Sequence, residues 1–251
     1  MTENLGPRRG RYRGGRWTRV SHGLYRPTQD LGGVRQELEA WQLVLPPFGA
    51  FTHLTAAREH GWWLPPLPPD LPVFATMSKR ESRPRRDGLV ISRHDPPVET
   101  VLVDGLPLTA PAETLLQCAN DLGLLDLVVL IDAALHLKSC TAEELGAAGA
   151  VRRRGAPSLR RALILADGRS ESAWESMLRM LHWACDVPVE PQFEVYEDGI
   201  FVARGDLVIK GTRTLQEYDG DEHRKKRPPR RPGPGAPTIE RGVDAPRLHL
   251  S

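Results

Sequence analysis

"PQFEVYEDGIFVARGDLVIKGTRTLQEYD", residues 191–219, decides how the second half of the chain folds. Three runs rich in β-branched and aromatic residues are separated by two glycine-bearing turns, Asp198-Gly199 and Lys210-Gly211, which predicts an antiparallel meander of three strands. The segment before it, "ESAWESMLRMLHWAC" (171–185), carries helical spacing, so the local pattern is a helix followed by a small sheet. Period two places Leu215, Glu217 and Asp219 on one face of the last strand, and Gln216 and Tyr218 on the other. Pairing through the Lys210 to Arg213 turn brings Asp206 alongside, near the same end. Three acids on one sheet face repel one another unless a cation sits between them.

A hard divalent ion such as Mg²⁺ takes oxygen ligands, commonly one or two carboxylates with substrate phosphate and water, and this arrangement could supply them. Phosphodiester hydrolysis is the chemistry such a site favours. His223, just beyond the strand, titrates near neutral pH and could orient or deprotonate the attacking water. Structural explanations compete at each position. Glu175 lies three residues after Ser172 and could simply complete a helix cap. Glu217 and Asp219 could be edge-strand charges or turn formers, and His223 alone would read as a solvated turn residue. Asp206 is harder to set aside, because an acid flanked by apolar "LVI" inside a strand needs a partner.

The rest of the chain has a globular composition, 40% hydrophobic and 26% charged, within 251 residues. That length has room for two cores. A net charge of +2 conceals arginine clusters. The first, residues 8–26, carries Arg8, Arg9, Arg11, Arg13, Arg16, Arg19 and Arg26 with no acid among them, and Arg224, Lys225 and Lys226 belong to another. Further basic runs are "KRESRPRR" (79–86) and "VRRRG" (151–155). Clusters at both ends of a chain with a hydrolytic site suggest contact with nucleic-acid phosphates, without base specificity. The three cysteines form no CxxC, so neither a zinc site nor a disulfide framework is indicated, and all three are expected as small buried groups. No apolar segment has the length of a membrane span, and no signal peptide is expected. The reading is a cytoplasmic protein with DNA as partner, no membrane association and no small-molecule ligand.

Residues 1–15 are expected to lack structure. "RWTRVSHGLYRP" reads as a hairpin about Ser21-His22-Gly23. Helices follow in "VRQELEAWQLVL" and "THLTAAREHG", then strands in "VFATM", "GLVISRH" and "ETVLVDGLPLT", the last turning at Asp104-Gly105. Thr109 is the expected cap of the next helix, "LLDLVVLIDAALHL" reads as another, and Thr141-x-x-Glu144 as a capping box. "GAAGAVRRRGAPS" (146–158) reads as a linker between units at 16–150 and 158–226, and the Pro-rich 227–251 as a tail without a core element.

From about 170 to 226, "ESAWESMLRML", "FVARGDLVI" and "LQEYDGDEH" resemble the domain related to very-short-patch-repair (Vsr) endonucleases, within the PD-(D/E)xK superfamily. The resemblance implies a restriction-endonuclease-like helix plus three-stranded sheet, with Glu175, Asp206 and Glu217 about Mg²⁺ and Asp219 and His223 completing the catalytic set. Upstream, "RVSHGLYRP", "THLTAAREHG" and "VDGLPLTAPAETLL" resemble AbiEi-type antitoxins of type IV toxin-antitoxin systems, which implies a partial winged helix followed by an α/β region. Two departures matter. The Lys of a standard ExK motif is replaced by Asp219, so His223 would have to serve instead. The family's final helix and strand are replaced by the Pro-rich tail, for which a frameshift is the expected cause, and the N-terminus begins at the wing.

The expected fold class is therefore α+β, and the expected function a Mg²⁺-dependent DNA endonuclease. The alternative is a DNA-binding regulator or antitoxin with a degenerate nuclease domain.

Overall fold

The computed structural model describes residues 6–12, 14–28, 33–68, 70–218 and 239–241. Their architecture is α+β, as expected from the sequence. The first sheet joins β1 (Arg8–Arg9), β2 (Trp17–Ser21) and β3 (Leu24–Pro27) in the antiparallel order β1-β3-β2. Strand β1 falls in the stretch expected to lack structure. It is held by pairing of Arg8 and Arg9 with Tyr25 and Leu24, and by Tyr12 packing against Trp17 and Tyr25.

Helix α1 (Gly33–Gln42) covers this sheet and the next one. The second sheet contains β4 (Ala50–Phe51), β5 (Val73–Ser78), β6 (Leu89–His94), β7 (Thr100–Val103) and β8 (Leu106–Thr109), in the mixed order β6-β5-β4-β8-β7. Leu24, Leu38, Trp41, Phe51 and Leu108 fill the core shared by the two. Helix α2 (His53–Glu59) crosses from β4 toward β5. Thr109 does not cap the following helix. Ala110 takes that position, while the Thr109 hydroxyl is buried and occupied by Thr114 at 2.6 Å and Thr52 at 3.2 Å.

A second core is helical, formed by α3 (Pro111–Cys118), α4 (Leu124–His136), α5 (Ala142–Ala150) and α6 (Ala156–Leu165). Every residue from Leu127 to Ala134 in α4 is buried, and each large aliphatic among them contributes about 1.5–3 kcal/mol. The Thr141–Glu144 capping box is formed as expected. The stretch 146–158, expected as a linker, is the end of α5, a tight turn and the start of α6. A Cβ on Gly155 (φ +86) would lie 2.6 Å from the Leu116 carbonyl, so only glycine fits this turn against α3. Arg153 anchors the same turn by a two-pronged ion pair with Glu113, at 2.6 and 2.7 Å. Its neighbours Leu159 and Ala162 then bury their side chains in the helical core.

Helix α7 (Ala173–Ala184) lies against α4 on one side and against the third sheet on the other. That sheet holds β9 (Val189–Glu197), β10 (Ile200–Ile209) and β11 (Leu215–Glu217), the expected meander, with the short β12 (Ile239–Arg241) pairing parallel to β11 at the edge. Cys118 and Cys140 are buried as expected, with burial pushing both thiols up, Cys140 to about 12. Cys185 is exposed because it follows the last turn of α7, beyond the packed face. Among the described residues no helix is long and apolar enough to cross a membrane.

One polar contact fixes α7. Asp132, fully buried in α4, accepts from the Arg179 guanidinium at 2.6 Å and from the Asp167 backbone N–H at 2.7 Å. Arg179 also donates to the Leu165 carbonyl at the end of α6, at 2.6 Å. Removing one partner of a buried pair strands the other charge, so Asp132→Ala is expected to lower unfolding free energy by about 3–5 kcal/mol in urea titration. The double variant Asp132→Leu with Arg179→Met should recover most of that loss, since an apolar pair leaves no charge unsatisfied.

Candidate acidic site on the third sheet

Helix α7 begins at Ser172, whose Oγ accepts the Glu175 N–H at 3.2 Å while its hydroxyl donates to Glu175 Oε1 at 2.9 Å. The cap expected from Ser172-x-x-Glu175 is therefore present. The Glu175 carboxylate does more than cap. Buried at 8% exposure, its Oε2 also accepts the Glu171 backbone N–H at 2.9 Å and the Gln192 side-chain amide at 2.8 Å, which ties the helix start to β9. Gln192 has φ +54, a left-handed conformation within a strand that costs a side-chain-bearing residue roughly 1–3 kcal/mol. The strain falls on the residue that reaches Glu175.

Asp206 lies on β10, the strand between β9 and β11. The pairs Leu207↔Gln216 and Val208↔Leu215 leave Asp206 and Glu217 at the next position of each strand. There Asp206 Oδ2 accepts the backbone N–H of Tyr218 at 2.7 Å, which closes the end of β11. Burial pushes the Asp206 carboxyl above the usual range. The Tyr218 N–H opposes this, the charges of Glu175 and Glu171 raise it further, and Arg204 opposes them. Arg204 is itself engaged with Glu171 at 2.9 Å. An acid held among other acids is a site short of positive charge.

The grouping differs in part from the one expected. The carboxylates acting on Asp206 come from Glu175 and Glu171 at the start of α7, whereas Glu217 is exposed at the end of β11. Asp219 and His223 lie outside the described residues. Among those described, no group of three or more His, Cys, Asp or Glu side chains is arranged to hold a metal ion. Gln192 and Glu171 were missed by sequence reading. An amide near the start of a strand pattern carries no sign of its backbone conformation, and Glu171 precedes the helix. On the neighbouring surface Trp174 stacks on Tyr218 at 5.3 Å between ring centroids, both largely exposed, and His182 meets Gln216 at 2.5 Å. Of the basic residues singled out, Arg11, Arg16 and Arg19 are exposed and Arg26 is half-buried. Arg13, Arg224, Lys225 and Lys226 lie outside the described residues.

No family model matches the chain. It is similar to two uncharacterized proteins of Mycobacterium tuberculosis, MT2308 of strain CDC 1551 / Oshkosh and Rv2248 of strain ATCC 25618 / H37Rv. Each is 34% identical over 123 residues, 48% of this chain and 45% of the relative. The chain thus spans about half the length of the curated relatives it matches. The crystal structure of the RV2827C protein from Mycobacterium tuberculosis superposes over 74% of each chain with a TM-score of 0.41 and 16% identity, too loose a likeness to extend to fold or function.

The two roles of Glu175 separate by mutation. Ser172→Ala removes only the cap and should cost about 1 kcal/mol. Glu175→Ala keeps the cap bond on the backbone N–H but leaves the Gln192 amide, the Glu171 N–H and the Ser172 hydroxyl without this acceptor, and should cost about 1–3 kcal/mol more than Ser172→Ala. Equal losses in urea denaturation would show that the link to β9 contributes nothing.

Proposed function

We propose that this chain is a Mg²⁺-dependent DNA endonuclease, hydrolysing phosphodiester bonds at the acidic end of the third sheet, with the N-terminal region engaging DNA. The observation that carries this reading is the half-buried Asp206, held beside the buried Glu175 with its carboxyl raised by burial and by neighbouring acids. The donor set fits a hard divalent cation: all oxygen, with Asp206 and Glu217 at adjoining strand positions, and Mg²⁺ commonly takes one or two protein carboxylates. When bound, such an ion would neutralise the developing charge on the phosphoryl oxygens. Glu175 positions Gln192 and the helix start, with spare acceptor capacity on Oε1. Asp219 and His223 enter from the sequence pattern, His223 as the group that orients or deprotonates water. Three free cysteines agree with a reducing cytoplasm as the site of action.

A second reading, a DNA-binding regulator or antitoxin with a degenerate nuclease domain, is favoured by the heavy use of the Glu175 carboxylate in internal hydrogen bonds. Plasmid nicking with Mg²⁺ separates the two. The first reading expects nicking that falls by about 100-fold or more in Asp206→Asn. Absence of nicking by the wild type selects the second, and nicking that survives the substitution removes Asp206 from the site.

Stability provides an independent check. A carboxyl whose folded pKa is raised opposes folding once ionised, above its unfolded pKa of about 3.9. That penalty is full above the raised folded value, shrinks as pH falls below it and is gone below the unfolded pKa. Asp206→Asn, neutral throughout and still able to accept from Tyr218, is therefore expected to melt at or above the wild-type temperature at pH 7, the difference closing at acid pH. A lower melting temperature at pH 7 would mark Asp206 as a structural acid.

A further inference from the structure

A basic hollow of about 780 Å³ lies away from the acidic site, between the β2–β3 turn and the loop that joins β5 to β6. Its walls carry Arg9, Arg19, Arg83, Arg85 and Arg86, against a single acid, Asp87. Six arginines elsewhere, Arg35, Arg80, Arg153, Arg169, Arg179 and Arg204, each meet a carboxylate. None of the five in the hollow has a carboxylate partner among the described residues. Gathering guanidinium groups without counter-charge opposes folding, and an anionic ligand relieves it.

The hollow is held open by ordinary structure. Leu24 anchors the hairpin in the core with no exposed surface, and β5 and β6, which bear the other wall, are parallel neighbours in the second sheet. Arg86 donates to the His22 carbonyl and joins the two walls. Arg9 and Arg19 are steered by backbone carbonyls, Leu43 at 3.5 Å and Ser21 at 3.3 Å, and both keep further N–H groups free to donate. Arg83 and Arg85 are exposed and make no hydrogen bond within the described residues.

One small anion cannot serve five guanidinium groups at once. The cationic surface also continues beyond the hollow, through exposed Arg11 and Arg16 and through Arg8, which lies 5.5 Å over the Trp17 ring. An extended array of this kind fits a repeating polyanion, and duplex DNA presents one charge per about 1.7 Å of its axis. We propose that this hollow is a docking groove for the phosphate backbone of double-stranded DNA, with Arg83 and Arg85 as its principal phosphate contacts and no role in base reading. It depends on DNA as partner and not on hydrolysis.

The test is fluorescence anisotropy of a labelled DNA duplex with the full chain, in EDTA, over a series of salt concentrations. Arg83→Gln with Arg85→Gln should weaken binding about tenfold or more near physiological salt and reduce the slope of log K against log salt by about 2. Arg83→Lys with Arg85→Lys should bind within a few-fold of wild type, because charge is kept. Arg161→Gln, exposed on α6 away from the groove, should bind as wild type. Because binding is read in EDTA, where no cleavage occurs, loss of docking is read separately from loss of nicking. The proposal is overturned if the glutamine pair binds with wild-type affinity and slope, if the lysine pair is as weak as the glutamine pair, if Arg161→Gln weakens binding equally, or if the wild type binds inorganic phosphate, single-stranded RNA or anionic vesicles in preference to the duplex. Unchanged circular-dichroism melting of the variants confirms that the comparison is between folded proteins.

Discussion

The buried pair between Asp132 and Arg179 is the contact on which the arrangement of the second half depends. Asp132 sits in a helix that is buried throughout from Leu127 to Ala134, where an unpaired carboxylate would cost several kcal/mol. Its guanidinium partner comes from α7 and its backbone N–H partner from the segment after α6, and Arg179 reaches on to the carbonyl at the end of α6. Charge pairing in a low-dielectric setting is orientationally demanding, so α7 has one seating on the helical core and little freedom to roll. Arg179 and Glu175 are four residues apart and lie on the same side of the helix. The seating that satisfies Arg179 therefore also sets where the Glu175 carboxylate goes.

From that seating the acidic site follows by short steps. Glu175 closes the start of α7 and reaches Gln192, whose strained backbone is held by the surrounding sheet. The neighbouring strand brings in Asp206, and its carboxyl is raised by burial and by two acids from the start of α7. Asp132 and Asp206 illustrate two fates for a buried acid. The first is surrounded by donors and a guanidinium. The second has one backbone N–H, two like charges and an arginine already engaged with Glu171 nearby, a pattern in which an external cation has more to gain.

Local features were legible in the sequence because local chemistry sets them. The turns at Asp104-Gly105, Asp198-Gly199 and Lys210-Gly211, the Thr141 capping box and the Ser172 cap all formed where their residues indicated. Thr109 was misread because its hydroxyl is claimed by Thr52 and Thr114, one of them 57 residues away in sequence. Residues 146–158 resembled a linker because small residues and arginines suit flexible segments, yet the same small residues allow α5 and α6 to approach closely. In the site, strand periodicity identified Asp206 but not which acids would surround it. The partners come from the helix start, a choice made by tertiary packing. The arginine groove was hidden for the same reason, its two walls being more than fifty residues apart in the chain.

A cation-gathering site and a purely structural acid make different demands on Asp206, and paramagnetic Mn²⁺ distinguishes them without reference to turnover. In amide NMR spectra of the full chain, sub-stoichiometric Mn²⁺ should broaden the resonances of Asp206, Glu217 and Tyr218 before those elsewhere, with the effect lost in Asp206→Asn and reversed by excess Mg²⁺. Broadening scattered over surface acids would show that the acidic cluster gathers no metal, and broadening at these amides that persists in Asp206→Asn would show that Asp206 does not hold it.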